Sequence, residues 1–276
     1  MNDNILKTDS IENQTPNILF YYTGTGNSLW LARVLARKLG NTQLISMSDT
    51  ARLQMVQEPA SMVGLIFPVH AWGLPRRVLI FLEYLEKLRP VYCFALANHG
   101  GQVSNTLVQL GKELKQRHIN LSAGWEIKMP DNYIIWSGAI PVEKQKERFL
   151  KAEEKLSDIT RKVMEKSELP PEKGPLWQTI LLSAIYRASY PYFPTMDKYF
   201  EVDERCNHCG ICVKICPVQN ISFIDKHLTW HNRCEQCLAC IQWCPQESLQ
   251  FGKRTKKFAR YNHPEIEVKD MIISSD

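Results

Sequence analysis

The chain has 276 residues, 44% hydrophobic and 23% charged, with a formal net charge of +5. This is an ordinary globular composition, long enough for about two domains. It gives no reason to expect nucleic acid, since no basic face is interleaved with aromatics over a long stretch. No apolar run reaches the roughly 20 residues of a membrane span.

Residues 1–16 are polar, carry no apolar signal core and are expected as a disordered or extended tail. Asn17 to Tyr22 is a short apolar, aromatic run with strand character. It leads into Thr23-Gly24-Thr25-Gly26-Asn27-Ser28 and then a helical pattern closed by Gly40. A strand, a hydroxyl- and glycine-rich loop and a helix N-terminus together can cradle a phosphate. The loop lacks the lysine of a nucleoside-triphosphate loop and the third glycine of a dinucleotide fingerprint.

The next segments alternate in kind. Thr42 to Met47, Ser61 to Phe67, Val91 to Ala97 and Leu121 to Ile127 read as strands. Helices are expected from Pro75 to about Leu88, up to about Arg117, and from Val142 to Lys166. Strands alternating with helices imply right-handed crossovers and a parallel α/β sheet, doubly wound, with the order 2-1-3-4-5. Such a sheet binds its ligand beyond the carboxyl ends of strands 1, 3 and 4. The loops there are the phosphate loop, Pro68-Val69-His70-Ala71-Trp72-Gly73, and Asn98-His99-Gly100-Gly101. Met129 to Tyr133 is a fourth loop, from which Asn132 and Tyr133 either close over a ligand or begin a helix. Cys93 lies in an apolar strand and reads as a small buried hydrophobe.

The phosphate loop and its flanks resemble the flavodoxins, over roughly residues 17–166. That resemblance implies a bound flavin mononucleotide (FMN). It assigns the phosphate to Thr23–Ser28, a stacking aromatic to Trp72 with the N5 contact at Gly73, and the pyrimidine edge to Asn98–Gly101. The usual aromatic of the third loop is missing, which leaves that side to His99 or to a partner domain.

Leu169 to Pro175 is rich in proline and marks a domain boundary. The helix expected from Leu176 to Tyr190 is assigned to packing one domain on the other. Two cysteine runs follow, Cys206-x2-Cys209-x2-Cys212-x3-Cys216-Pro217 and Cys234-x2-Cys237-x2-Cys240-x3-Cys244-Pro245. Three thiolates at this spacing wrap one iron–sulfur cube, and the fourth ligates the other. Cys206, Cys209, Cys212 and Cys244 are therefore expected on one [4Fe–4S] cluster, and Cys234, Cys237, Cys240 and Cys216 on the second. A disulfide framework or zinc fits the duplicated spacing less well. The runs resemble bacterial two-cluster ferredoxins, an α+β fold. Cluster ligands must be thiolates, so a reducing compartment, the cytoplasm, is expected. His227 and His231 read as surface residues, and residues 221–230 as a hairpin.

The expected organisation is a tail (1–16), a flavodoxin-like domain (17–168), a helical linker (169–200), a ferredoxin domain (201–252) and a basic tail (253–276). Lys253, Arg254, Lys256, Lys257 and Arg260 give that tail its charge; it reads as solvated, or as a strip for an acidic partner. The order of parts, with FPVHAWGLPRRV, MPDNY and YFEVDERC, resembles a family of flavodoxin–ferredoxin fusion proteins of anaerobic bacteria. The resemblance implies electron transfer between the clusters and FMN, with a redox protein or a small acceptor as partner. A reductase fed by the clusters and a non-catalytic redox sensor are the alternatives. Only His70, His99, Asp131 and Tyr133 are placed as acid/base groups near the expected flavin edge.

Overall fold

The computed structural model describes residues 16–56, 60, 62–225 and 227–273. The expected tail 1–16 lies outside these except for Pro16. Strands β1 (Asn17–Tyr21), β2 (Thr42–Ser46), β3 (Met62–Pro68), β4 (Tyr92–His99) and β5 (Ala123–Lys128) form one sheet, in the order β2-β1-β3-β4-β5. All its pairings are parallel, as the crossovers require. β3 and β4 are buried almost throughout, which is why they read as continuous apolar runs. This is the flavodoxin-like arrangement expected from the sequence.

Helices cover both faces. On one side α1 (Asn27–Leu39) and α5 (Val142–Met164) bury Trp30, Leu31, Leu35, Leu156 and Ile159. On the other, α3 (Arg76–Leu88) and α4 (Thr106–Gln116) bury Phe81, Leu82, Leu107 and Leu110, with the Phe81 ring 4.7 Å from Phe20. In α3 the buried residues Val78, Phe81, Leu82, Leu85 and Leu88 recur at helical spacing, and Pro75 sets its entry. A short α2 (Thr50–Met55), capped by the Asp49 carboxylate, follows β2.

Residues 176–189 form α6, followed by a 3-10 helix over 190–199. The inner face of α6 packs as expected: the Tyr186 hydroxyl donates to the Leu74 carbonyl at 2.7 Å. The outer face does not, because Leu176, Trp177, Ile180, Leu181 and Ile185 are all exposed.

The cysteine-rich part has its own architecture. β6 (Phe200–Val202) pairs antiparallel with β9 (Leu249–Phe251), and β7 (Ile221–Ile224) with β8 (His227–Trp230) as the expected hairpin. Short helices α7 (Ile211–Lys214) and α8 (Ala239–Gln242) each carry the third cysteine of a motif, Cys212 and Cys240. The two copies repeat in backbone too: φ is positive at His208, Gly210 and Gln219, and again at Gln236, Leu238 and Glu247. The apolar core here is small, Phe200, Ile221, Leu238, Ile241 and Leu249 with the cysteines themselves. A core of that size needs an inorganic centre to hold it.

The basic residues Lys253, Arg254, Lys256 and Lys257 are exposed, but residues 258–271 are not a solvated tail. Tyr261, His263, Ile266 and Met271 are buried, and α9 (Val268–Met271) is tied to α1 by Arg33, whose guanidinium meets both Asp270 oxygens at 2.7 and 3.1 Å. The cause is apolar: Ile266 and Met271 join the core beneath α1, together with Ile215, Ala239 and Trp243 of the cysteine-rich part. The two lobes thus share a core.

Candidate functional site

All nine cysteines are free thiols, so no disulfide net competes for them. The thiol charges acting on Cys212 are those of Cys244, Cys209 and Cys206. Those acting on Cys240 are Cys237, Cys234 and Cys216 first, and Cys212 last. The chain therefore brings each fourth cysteine to the other motif's trio. Burial pushes Cys212 and Cys234 up to about 12 and raises Cys237 and Cys240 further. Thiols so crowded and so dry become thiolates only against a bound cation. Backbone N–H groups already face two of them, Asn220 donating to Cys216 Sγ at 3.2 Å and Gln236 to Cys234 Sγ at 3.3 Å. Among the described residues, no three His, Cys, Asp or Glu side chains converge on a single ion. A four-iron cube needs a wider ring of thiolates than one ion does, and this donor set suits it.

The N-terminal lobe presents the expected loops at the carboxyl ends of its strands, and several of their side chains and carbonyls are engaged within the chain. Thr25, Asn27 and Ser28 are 1%, 4% and 1% exposed. Thr25 Oγ1 accepts from Asn132 Nδ2 at 2.6 Å, and Ser28 Oγ from Asn98 Nδ2 at 2.6 Å. Asn27 Nδ2 donates to the Pro130 carbonyl, while its Oδ1 accepts from the Tyr261 hydroxyl at 2.6 Å. The Trp243 indole N–H donates to the Gly24 carbonyl at 3.0 Å, and the His263 N–H to the Thr25 carbonyl at 2.9 Å. A Cβ on Gly24 would stand 2.5 Å from the Cys237 carbonyl oxygen, and one on Gly26 3.0 Å from the His263 side chain. Thr23 Oγ1 accepts from the Gly26 N–H at 3.1 Å, within the loop itself.

The second loop makes a tight turn. His70 and Gly73 exchange both backbone hydrogen bonds, with Ala71 and Trp72 at φ 44° and 67° between them. Positive φ at two residues with Cβ atoms is a strained arrangement, held by its surroundings. Trp72 Nε1 donates to Gln102 Oε1, and its ring lies 5.8 Å from Trp136. His70 is hydrogen-bonded to the Glu235 backbone in the second cysteine motif, and burial pulls it down to about 4. The Glu235 carboxylate, pushed up to about 7 by burial, accepts from the Arg77 N–H at the start of α3. A Cβ on Gly73 would meet the Tyr186 ring at 2.5 Å, and one on Gly100 Asp131 at 2.6 Å. His99 is bonded to Glu126, which this bond and Lys155 hold down to about 2 against its burial. Pro68 ends β3, and the Val69 N–H donates to the Asn98 carbonyl. Gly101 has open space before it. Gln242 was not singled out in the sequence. Its amide donates to the Asn132 carbonyl at 2.7 Å and accepts from the Tyr261 N–H at 2.8 Å, bridging three segments.

The donors of the phosphate loop suit an anion in kind. A cavity of about 190 Å³ reaches Thr23, yet it runs toward Ser46, Ser48, Asp49 and Arg52 at the β2 end, away from Trp72 and Asn98. It falls short of the roughly 300 Å³ at which small-molecule sites begin. Thr23–Ser28, expected to hold the flavin phosphate, instead contact Cys237, Trp243, Tyr261, His263 and Ile266.

Residues 201–222, which contain the first motif, match the family model described as a 4Fe-4S binding domain. No curated protein sequence matches the chain. Among solved structures, the chain is similar to the rubredoxin oxygen:oxidoreductase of the anaerobe Desulfovibrio gigas, at 18% identity and a TM-score of 0.37, over 55% of this chain and 38% of that one. It spans well under half the length of that protein. It is also similar to a flavodoxin from the domain Archaea (12% identity, TM-score 0.36, 54% of this chain and 99% of that one). The two-electron-reduced flavodoxin of Megasphaera elsdenii is a third (13%, 0.32, 40% and 83%). At such scores these likenesses carry no argument, and the fold rests on the strand order itself. The chain joins a flavodoxin-like sheet to a 4Fe–4S binding region.

Proposed function

We propose that this chain is a single-electron carrier holding two [4Fe–4S] clusters, one on Cys206, Cys209, Cys212 and Cys244, the other on Cys234, Cys237, Cys240 and Cys216. The observation that carries the reading is the exchange of fourth thiols between the motifs. When bound, such clusters take up and release one electron at a time. The chain tunes and insulates them. Backbone N–H groups on Cys216 and Cys234 stabilise the more negative, reduced state. The second set is buried against the N-terminal lobe, with Cys216 and Cys240 at 8% and 9% exposure, whereas Cys209 is exposed. Traffic with a partner therefore runs through the Cys209 side. Arg205, exposed beside the first motif, acts with Lys256 on Asp203, so the basic residues after β9 extend to that side and favour an acidic redox partner. The reading rests on the thiols and does not require FMN.

The test is anaerobic purification followed by iron and sulfide assay. About eight of each are expected, from two complete motifs. Tightly bound zinc without acid-labile sulfide would refute it.

A further inference from the structure

We infer that the cysteine-rich lobe and residues 258–271 are the resident occupants of the flavin cradle, so that the folded chain carries iron and excludes flavin mononucleotide. The observation is positive contact at the loops a flavin would touch. At the phosphate loop, the Gly24 carbonyl holds the Trp243 indole, the Thr25 carbonyl holds the His263 N–H, and Asn27 holds the Tyr261 hydroxyl. At the second loop, Tyr186 lies against Gly73 and its hydroxyl donates to the Leu74 carbonyl. At the fourth, the Asn132 carbonyl holds Gln242. The occupant is continuous with the cysteine motifs: Glu235, Cys237, Gln242 and Trp243 all lie between Cys234 and Cys244.

Charge points the same way. The atom that a Cβ on Gly24 would meet is the Cys237 carbonyl oxygen, an acceptor. The Cys237 thiolate and its three companions add negative charge beside it, which a phosphate dianion would have to approach in a dry site. The side chains packed on the loop are Trp243, Tyr261, His263, Ile266 and Asn132, none of them a permanent cation. The loop uses two carbonyls and the Asn27 side chain to seat protein. In this arrangement the flavodoxin-like lobe is a mount for the second set of thiols.

The experiment uses the full-length protein, purified anaerobically and loaded with iron. Acid-released flavin is measured against iron on the same sample, and added FMN is titrated by its own fluorescence. The expected result is full iron with flavin far below one equivalent, and fluorescence that added protein does not quench. One equivalent of flavin alongside full iron would overturn the inference while leaving the carrier reading intact; absence of iron would sink the carrier reading instead. Gly24→Ala gives a second readout. A methyl group there meets the Cys237 carbonyl, so the variant should alter the electron paramagnetic resonance signal or the oxidative lifetime of the second cluster. A variant that lowers flavin content with both cluster signals unchanged would count against the inference.

Discussion

Two side chains beyond the cysteine motifs help hold the lobes together. The Tyr261 hydroxyl donates to Asn27 Oδ1 at 2.6 Å in a buried setting. Tyr261→Phe leaves that acceptor unpaired and should lower stability by about 1–3 kcal/mol in urea titration. His263 is fully buried, stacked 4.8 Å from Trp30 and tilted against Phe149 at 4.6 Å. Its Nδ1 accepts from the Glu265 N–H, so the ring proton sits on Nε2, which has no partner among the described residues. Burial pulls its pKa from 6.5 to about 4. Docking therefore favours the neutral ring. Its contribution is complete above pH 6.5 and is lost as pH falls from there toward 4, by up to about tenfold in the docking equilibrium per pH unit. Limited proteolysis of the C-terminal segment should accelerate over that window in the native chain and much less in His263→Phe; identical pH profiles would contradict this. None of these partners was legible from local pattern. Trp243 stands inside a cysteine motif and His263 in a charged stretch, and their contacts cross more than 200 positions of sequence.

The elements themselves were more readable. β1, β3 and β4 announce themselves as short apolar runs between turn residues, and α3 by its apolar spacing after Pro75. The helix at α6 was also legible, but its role was only half so. Its inner face presses Tyr186 on Gly73 and Leu74, while Trp177 and Ile180 are 62% and 66% exposed. An apolar sequence does not say which of its faces finds a neighbour. Ile180→Lys should shift the unfolding free energy by no more than about 0.5 kcal/mol. Leu182→Ala, at an 8% exposed position on the same helix, should cost roughly 2–3 kcal/mol. Equal effects would show that the outer face is covered in solution. α2, the β6–β9 pair and the folding of residues 258–271 left no strong pattern, since the elements are short, and residues 258–271 owe their shape to packing against the N-terminal lobe.

At the scale of the molecule, the two thiol sets differ in access. Cys209 is exposed, whereas Cys240 is buried and Cys237 packs against both apolar cores of the N-terminal lobe. Controlled exposure to oxygen should therefore remove iron in two phases, with the centre on Cys206, Cys209, Cys212 and Cys244 lost first. Iron release and electron paramagnetic resonance followed together would check the order, and a single phase would argue against unequal burial. Because Cys216 and Cys244 are exchanged between the sets, substitution of Cys216 should damage the second centre, not the one its own motif begins.

The contact between Trp243 and Gly24 joins positions 219 residues apart. During synthesis at about 5–20 residues per second, the loop after β1 emerges roughly 10–45 s before the indole that will cover it. Throughout that interval the N-terminal lobe offers an uncovered phosphate-type loop to the cell. A centre on Cys237 would have to be inserted before or as the late segment closes, because Cys237 then lies beneath Gly24. Chaperones and cluster-delivery proteins thus meet an open chain whose window shuts once residues 234–271 have been made and docked.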